Sequence, residues 1–305
     1  MSTMTNTNIQ DRKSGEARDS KSLMFRPRQE VSPVRRWALV WPREHGAWGI
    51  LLVALVTGGS VGLSSASNLV PLLWLALAVL ASFCLRTPLE NSLPKSPYRP
   101  RTQVEWQWVS AASSIYILIG VVAGVMLWLD GALRVIWLLA PCAFVLFALQ
   151  ALVKRLGRAY RLPAEIIAVY GMTLVAAAGY IIASGRTGKV AIGLWLLNGL
   201  FATNQVLYVQ FCIAEARVSQ HPSSIQRKRI FLVSQAVTGL VILAGAYAGF
   251  LPGLALIAFV PLFVRGGIWA FRTVRAPLRI HRLGKTELAH AILFGLLLIA
   301  AWYIS

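Results

Sequence analysis

Long apolar runs, separated by short polar stretches, recur from residue 47 to the C-terminal end of the chain. A helix crossing a bilayer needs about 20 mostly apolar residues. The pattern predicts nine such spans: 47–64, 69–86, 108–128, 132–152, 164–184, 190–211, 230–249, 252–271 and 287–304. Two pairs of spans are joined by very short connections, and each joint holds a breaker. Ser64-Ser65-Ala66-Ser67-Asn68 marks the first, and Pro252-Gly253 after Phe250-Leu251 marks the second. A bilayer core offers no water to the backbone, so helices, which satisfy their own amides, are the expected elements. The predicted fold class is all-α, a polytopic membrane helical bundle of about nine transmembrane helices. Residues 1–34 are polar and lack the apolar segment of a signal peptide. The expected organisation is a disordered, basic cytoplasmic tail over 1–34 and a transmembrane helical domain over 35–305.

Composition sharpens this picture. Hydrophobic residues make up 57% of the chain and charged residues 13%, against roughly a quarter charged in an ordinary soluble domain. A soluble enzyme and a disordered chain are both excluded as readings of the whole. The net charge is +19, from 30 Lys and Arg against 11 Asp and Glu. With the N-terminus inside, the inner loops hold seventeen of these basic residues and the outer loops three. That bias follows the positive-inside rule. It predicts a bacterial inner (cytoplasmic) membrane protein with its N-terminus cytoplasmic and its C-terminus outside. The basic residues are spread by topology rather than gathered into a recognition motif, so membrane lipids are the expected partner and nucleic acid is not. Cys84, Cys142 and Cys212 show no CxxC spacing, and neither a zinc site nor a disulfide framework is expected.

Few acidic residues occur within the helical domain, and their positions divide them. Glu44, Glu165 and Glu287 fall at the predicted N-termini of spans one, five and nine. A helix dipole favours a carboxylate there by ~0.3–1 kcal/mol. Glu90 and Glu215 fall at the C-terminal ends of spans two and six, where the dipole disfavours an anion. Arg86 stands one turn before Glu90, and Arg217 two residues after Glu215. Each glutamate is read either as half of a local ion pair, worth ~0–1 kcal/mol if exposed, or as one wall of a shared site. Asn198, Asn204, Gln205, Tyr208 and Gln210 cluster on span six, with Asn204 and Tyr208 on one face. They suit either interhelical hydrogen bonding or ligand contact. Arg265 interrupts span eight; it either snorkels to the surface or faces protein, water or an anion. His290 has the properties of a packing histidine more often than of a ligand. Arginines and lysines at the inner ends suit a phosphate or diphosphate head group, and apolar walls suit a lipid tail. A polar cavity facing the cytoplasm is expected.

The run Trp41-Pro42-Arg43-Glu44-His45-Gly46-Ala47-Trp48 resembles the opening of YwiC-like membrane proteins. Arg86-Thr87-Pro88-Leu89-Glu90, Leu207-Tyr208-Val209 and the segment from Pro277 to Glu287 are similar to the same family. This resemblance extends over about residues 40–304. More distantly, the chain resembles the UbiA superfamily of intramembrane prenyltransferases. That likeness implies nine helices, an inner N-terminus, and a site open to the cytoplasm. There, two aspartate-rich motifs after helices two and six hold Mg2+ and a prenyl diphosphate. Carried onto this chain, Glu90 and Glu215 stand for the metal ligands. Arg43, Arg86, Asn204, Tyr208, Arg217, Arg265, Arg282, Lys285 and Glu287 stand for substrate contacts, and Glu44 and His45 for proton handling or closure. The chain departs from that pattern: it has no Asn-Asp-x-x-Asp motif, and Asp130 is its only aspartate after Asp19. One carboxylate per motif binds magnesium weakly. The resemblance implies an isoprenoid or lipid (di)phosphate as ligand and, if the protein is an enzyme, a prenyltransferase-like transferase with degenerate aspartate motifs. A transporter and a non-catalytic membrane assembly partner are the alternatives.

Overall fold

The computed structural model describes residues 33–42, 45–63, 69–94, 96, 98–217, 222–271 and 280–305. These form ten α-helices: α1 (Pro33–Val40), α2 (His45–Leu63), α3 (Val70–Ser92), α4 (Gln103–Leu129), α5 (Leu133–Arg155), α6 (Arg161–Ser184), α7 (Lys189–Arg217), α8 (Pro222–Tyr247), α9 (Ala255–Ala270) and α10 (Ile280–Ile304). Eight of them, α2 to α8 and α10, are long and apolar enough to cross a membrane. The ninth predicted span is α9, with 16 residues. At 1.5 Å per residue it measures about 24 Å, less than the ~30 Å hydrocarbon core.

Each long helix overlaps its predicted span, but several run further than the apolar residues do. They extend at the ends where basic residues gather: α3 to Ser92, α7 to Arg217, α8 from Pro222 and α10 from Ile280. A helix keeps its internal hydrogen bonds beyond the edge of the hydrocarbon, so hydropathy marks the membrane rather than the helix. At the opposite ends, glycine sets the turns. Gly185 ends α6 at φ +67°. Gly249 follows α8 at φ +64°, and the Phe250 and Leu251 amides donate to the Gly245 carbonyl at 2.8 and 3.0 Å. The break expected near residues 250–253 is thus made by Gly249. The first expected break, 64–68, lies outside the described residues.

The expected tail over 1–34 also lies outside them, except that Pro33 and Val34 open α1. This eight-residue helix was not expected from the apolar pattern. It packs on α3 and α4, with Leu39 and Val40 buried. Asn91 Nδ2 donates to the Leu39 carbonyl at 3.0 Å, and Arg35 Nε to Glu105 Oε1 at 2.5 Å. Thr102 caps α4 by accepting from the Glu105 amide at 3.2 Å.

Five helices, α2, α7, α8, α9 and α10, close a ring in which each packs on the next and α10 returns to α2. Outside the ring, α6 lies against α2 and α7, with α3 and α5 beside it and α4 on α3. The tightest seam is α2 on α6. Gly58 and Gly62 on α2 meet Ala176, Tyr180 and Ala183 on α6, where any larger residue would collide with backbone. Small residues let transmembrane backbones approach closely enough for dispersion forces to hold them. The apolar window of α5 buries none of its residues. In a bilayer, such a surface is solvated by lipid tails.

Candidate functional site

Inside the five-helix ring the chemistry changes with depth. Phe201 on α7 stacks on Phe294 of α10 at 4.0 Å, and Phe259 of α9 meets Phe294 edge-on at 5.1 Å. Seven residues along α7, about 10 Å by helix rise, stands Tyr208. Seven residues back along α10 stands Glu287, and six residues along α9 stands Arg265. The same three helices therefore carry an aromatic layer and, towards the other end, a polar one.

The polar layer is built around one ion pair. Arg265 Nη1 donates to Glu287 Oε1 at 2.5 Å, with 11% and 6% of the two side chains exposed. The guanidinium lies over the Tyr208 ring, 3.9 Å from its centroid, a cation–π contact. Gln205 Nε2 donates to the Glu287 backbone carbonyl at 3.1 Å and ties α7 to α10. Asn204 is 1% exposed. Gln235 on α8 presses against Gly266, where an added Cβ would stand 2.3 Å from its Nε2. A buried charge pair inside an apolar bundle is costly unless its remaining donors and acceptors are met.

Several of those atoms are not met. Arg265 Nε and Nη2, Glu287 Oε2, and both Asn204 Nδ2 and Oδ1 are buried without a hydrogen-bond partner among the described residues. An unmet buried polar group ordinarily costs ~1–3 kcal/mol. Water or a bound polar group would satisfy such a cluster. Nη1 serves Glu287 and Tyr208 covers one face, so Arg265 keeps its Nε–Nη2 edge. That edge is a two-donor fork which matches the oxygens of a carboxylate or phosphate.

The structure thus joins three of the expected site residues, Tyr208, Arg265 and Glu287, with Asn204 buried one turn before Tyr208 on α7; it decides between the two readings of Arg265 and assigns Glu287 differently from expectation. Arg265 does not snorkel; it is paired across helices. Glu287 is not a first-turn carboxylate, because α10 begins at Ile280 and the dipole advantage falls off within one turn. Lys285 is exposed. His290 Nδ1 lies 2.7 Å from the Thr286 carbonyl of its own helix, as a packing histidine does. Arg43 and Glu44 lie outside the described residues, as do the side chains of His45, Arg217 and Arg282. The cluster includes Gln205, read above as suited to interhelical bonding, and adds Gln235 beside Gly266. The signal for both was an amide in the middle of an apolar span.

The two glutamates expected to hold a metal stand on α3 and α7. Glu90 accepts from Arg86 Nε at 2.7 Å, one turn away on the exposed surface of α3, as the ion-pair reading has it. Glu215 is half-buried near the end of α7. α3 packs on α1, α4 and α6, whereas α7 packs on α2, α6, α8 and α9, so α6 stands between the two carboxylates' helices. No group of three His, Cys, Asp or Glu side chains gathers among the described residues. Glu165, the remaining inner glutamate, accepts from Arg161 Nε at 2.8 Å and from Gln210 Nε2 at 2.5 Å, which bridges α6 to α7.

Eight membrane-length apolar helices around a buried polar cluster define a polytopic integral membrane protein. The family model described as YwiC-like protein matches residues 41–180, from the approach to α2 through most of α6, and over that stretch the chain is similar to that family. No curated protein and no solved structure matches it. The Arg265–Glu287 cluster, with the similar segments read at Leu207–Val209 and Pro277–Glu287, lies beyond the matched residues.

Proposed function

We propose that this protein binds the phosphate-bearing head group of an amphiphile, a lipid or isoprenoid phosphate, at the polar layer between α7, α9 and α10. The observation that carries this reading is the Nε–Nη2 edge of Arg265, buried without a hydrogen-bond partner among the described residues, in the same ring as the unmet amide of Asn204 on α7. An arginine fork set in a membrane-embedded bundle suits an oxyanion whose tail shares the surrounding apolar phase. The aromatic layer of Phe201, Phe259 and Phe294 ends the polar region on its far side. The seventeen-to-three distribution of basic residues supports a cytoplasmic N-terminus in a bacterial inner membrane. In that orientation the polar layer lies nearer the cytoplasm. No chemical step is assigned to the head group. A prenyltransferase-like reaction needs a metal or an equivalent charge at the diphosphate.

The test is equilibrium binding to the purified protein in detergent micelles. The probes are farnesyl phosphate, dihexanoylphosphatidic acid and dihexanoylphosphatidylethanolamine. At least one binds saturably, and Arg265→Gln weakens it tenfold or more. If none binds, or if binding ignores Arg265, the reading is wrong.

One observation favours a second reading, transport. The closed ring of five helices surrounds the charged pair as a permeation path would. Flux of a bound probe across reconstituted vesicles, absent from vesicles without protein, would separate carriage from binding.

A further inference from the structure

The ion pair at the proposed head-group site has no net charge, because Arg265 and Glu287 cancel. The atoms it leaves unmet are of both kinds. Arg265 Nε, Arg265 Nη2 and Asn204 Nδ2 are donors, whereas Glu287 Oε2 and Asn204 Oδ1 are acceptors. A bare phosphate brings only acceptors. It would satisfy the donors, leave Glu287 Oε2 and Asn204 Oδ1 unmet, and bury an uncompensated negative charge beside a carboxylate. An ammonium alone would fail in the opposite way. The complement of this set is a head group with an oxyanion at one end and a cationic N–H donor at the other.

Resting on the binding reading above, we infer that the site selects a zwitterionic head group: a phosphodiester that carries a primary ammonium. Its phosphate oxygens take the Nε–Nη2 fork of Arg265, and Asn204 Nδ2 donates to one of them. Its ammonium donates to Glu287 Oε2 and Asn204 Oδ1. The ion pair then orients the ligand as well as holding it, since Glu287 marks the amine end and Arg265 the phosphate end. Lys285 is exposed on α10, and His290 is engaged by the Thr286 carbonyl. Discrimination is expected to be strong, because a site built to bond an N–H leaves buried acceptors unpaired when the N–H is missing.

The experiment compares four probes on the full-length protein in detergent micelles: dihexanoylphosphatidylethanolamine, its N-acetylated form, dihexanoylphosphatidic acid, and free phosphoethanolamine. The expected order has dihexanoylphosphatidylethanolamine at least tenfold tighter than the N-acetylated lipid and the phosphatidic acid. Glu287→Gln, checked for folding by size exclusion, reduces that preference to about onefold. The N-acetylated probe asks the same question of the unaltered protein, so a variant that fails to fold does not weaken the test. Equal binding of the amine-bearing and amine-free lipids overturns the zwitterion inference and leaves the phosphate reading intact. Binding of none overturns both. Binding of free phosphoethanolamine as tight as the lipid form upholds the head-group chemistry and overturns the amphiphile.

Discussion

A Cβ built on Gly58 would stand 2.0 Å from the carbonyl oxygen of Ala176, so α2 and α6 touch backbone to backbone. The neighbour is main chain and cannot rotate away. Gly58→Ala therefore has to push the helices apart, and the expected loss is about 1–3 kcal/mol, in the range of overpacked cores. Gly124, on α4, has nothing within 4 Å of the same built atom. Gly124→Ala is expected to change stability by less than about 0.5 kcal/mol. Unfolding of the purified protein in SDS, followed by circular dichroism, checks the pair. Equal effects at the two positions would mean that α2 and α6 do not meet in this way.

The Arg265–Glu287 pair predicts strong non-additivity. Removing one partner leaves a charge buried with no counter-ion, and such losses run to about 3–5 kcal/mol. Removing both leaves an apolar seam between α9 and α10 that Met side chains can fill. Arg265→Met and Glu287→Met should each destabilise severely, whereas the double variant recovers most of the loss. The same SDS titration, arranged as a double-mutant cycle, measures the coupling. Simple addition of the two single effects would show that the side chains do not interact.

How much of this was legible before the fold was known can be judged from particular residues. Hydropathy located every long helix, because a bilayer imposes one requirement on all of them. It placed their basic-side ends short, since α10 begins at Ile280, seven residues before Glu287. That shortfall turned a mid-helix carboxylate into an apparent first-turn one. Asn204 and Tyr208 were legible as a pair because four residues return a helix to the same face. Arg265 and Glu287 were each visible as intramembrane charges. Their pairing was not, because nothing in a linear pattern states which helices of a ring adjoin. The same limit applies to Glu90 and Glu215, which stand near the ends of α3 and α7, two helices that both pack on α6. α1 escaped notice because eight residues holding two arginines carry too short an apolar pattern to register.

That short helix yields a prediction of its own. Glu105 is buried, with its side chain 3% exposed, whereas Arg35 is 38% exposed. Glu105 also accepts from the Arg101 amide at 2.6 Å, so it fastens the start of α4 as well as α1. Arg35→Met leaves the buried Glu105 carboxylate to the Arg101 amide alone, and a loss of about 1–3 kcal/mol is expected. Glu105→Ala removes the Arg35 contact and leaves the Arg101 amide without its acceptor, and a loss in the same range is expected. Hydrogen–deuterium exchange over residues 33–40 should rise for both variants. No rise in either would mean that α1 is held by its apolar face on Val109 and Ala112 rather than by the carboxylate.

The orientation in the membrane can be tested at helix ends whose side chains are exposed. In a variant with Cys84, Cys142 and Cys212 replaced by serine or alanine, single cysteines are introduced as Arg155→Cys, Arg186→Cys and Ser305→Cys. All three native positions are exposed. Arg155 ends α5 at the basic side of the bundle, whereas Arg186 follows α6 and Ser305 follows α10 at the other side. If the inner loops are the basic ones, an impermeant maleimide added to intact cells labels the introduced thiols at 186 and 305, and reaches the thiol at 155 only after permeabilisation. The polar layer lies on the side of residue 155, because Arg265 is near the end of α9 and Glu287 near the start of α10. That labelling pattern therefore puts the Arg265 fork within reach of head groups in the cytoplasmic leaflet. The opposite pattern turns the same fork towards the outer leaflet and changes which pool of lipid phosphate it can meet.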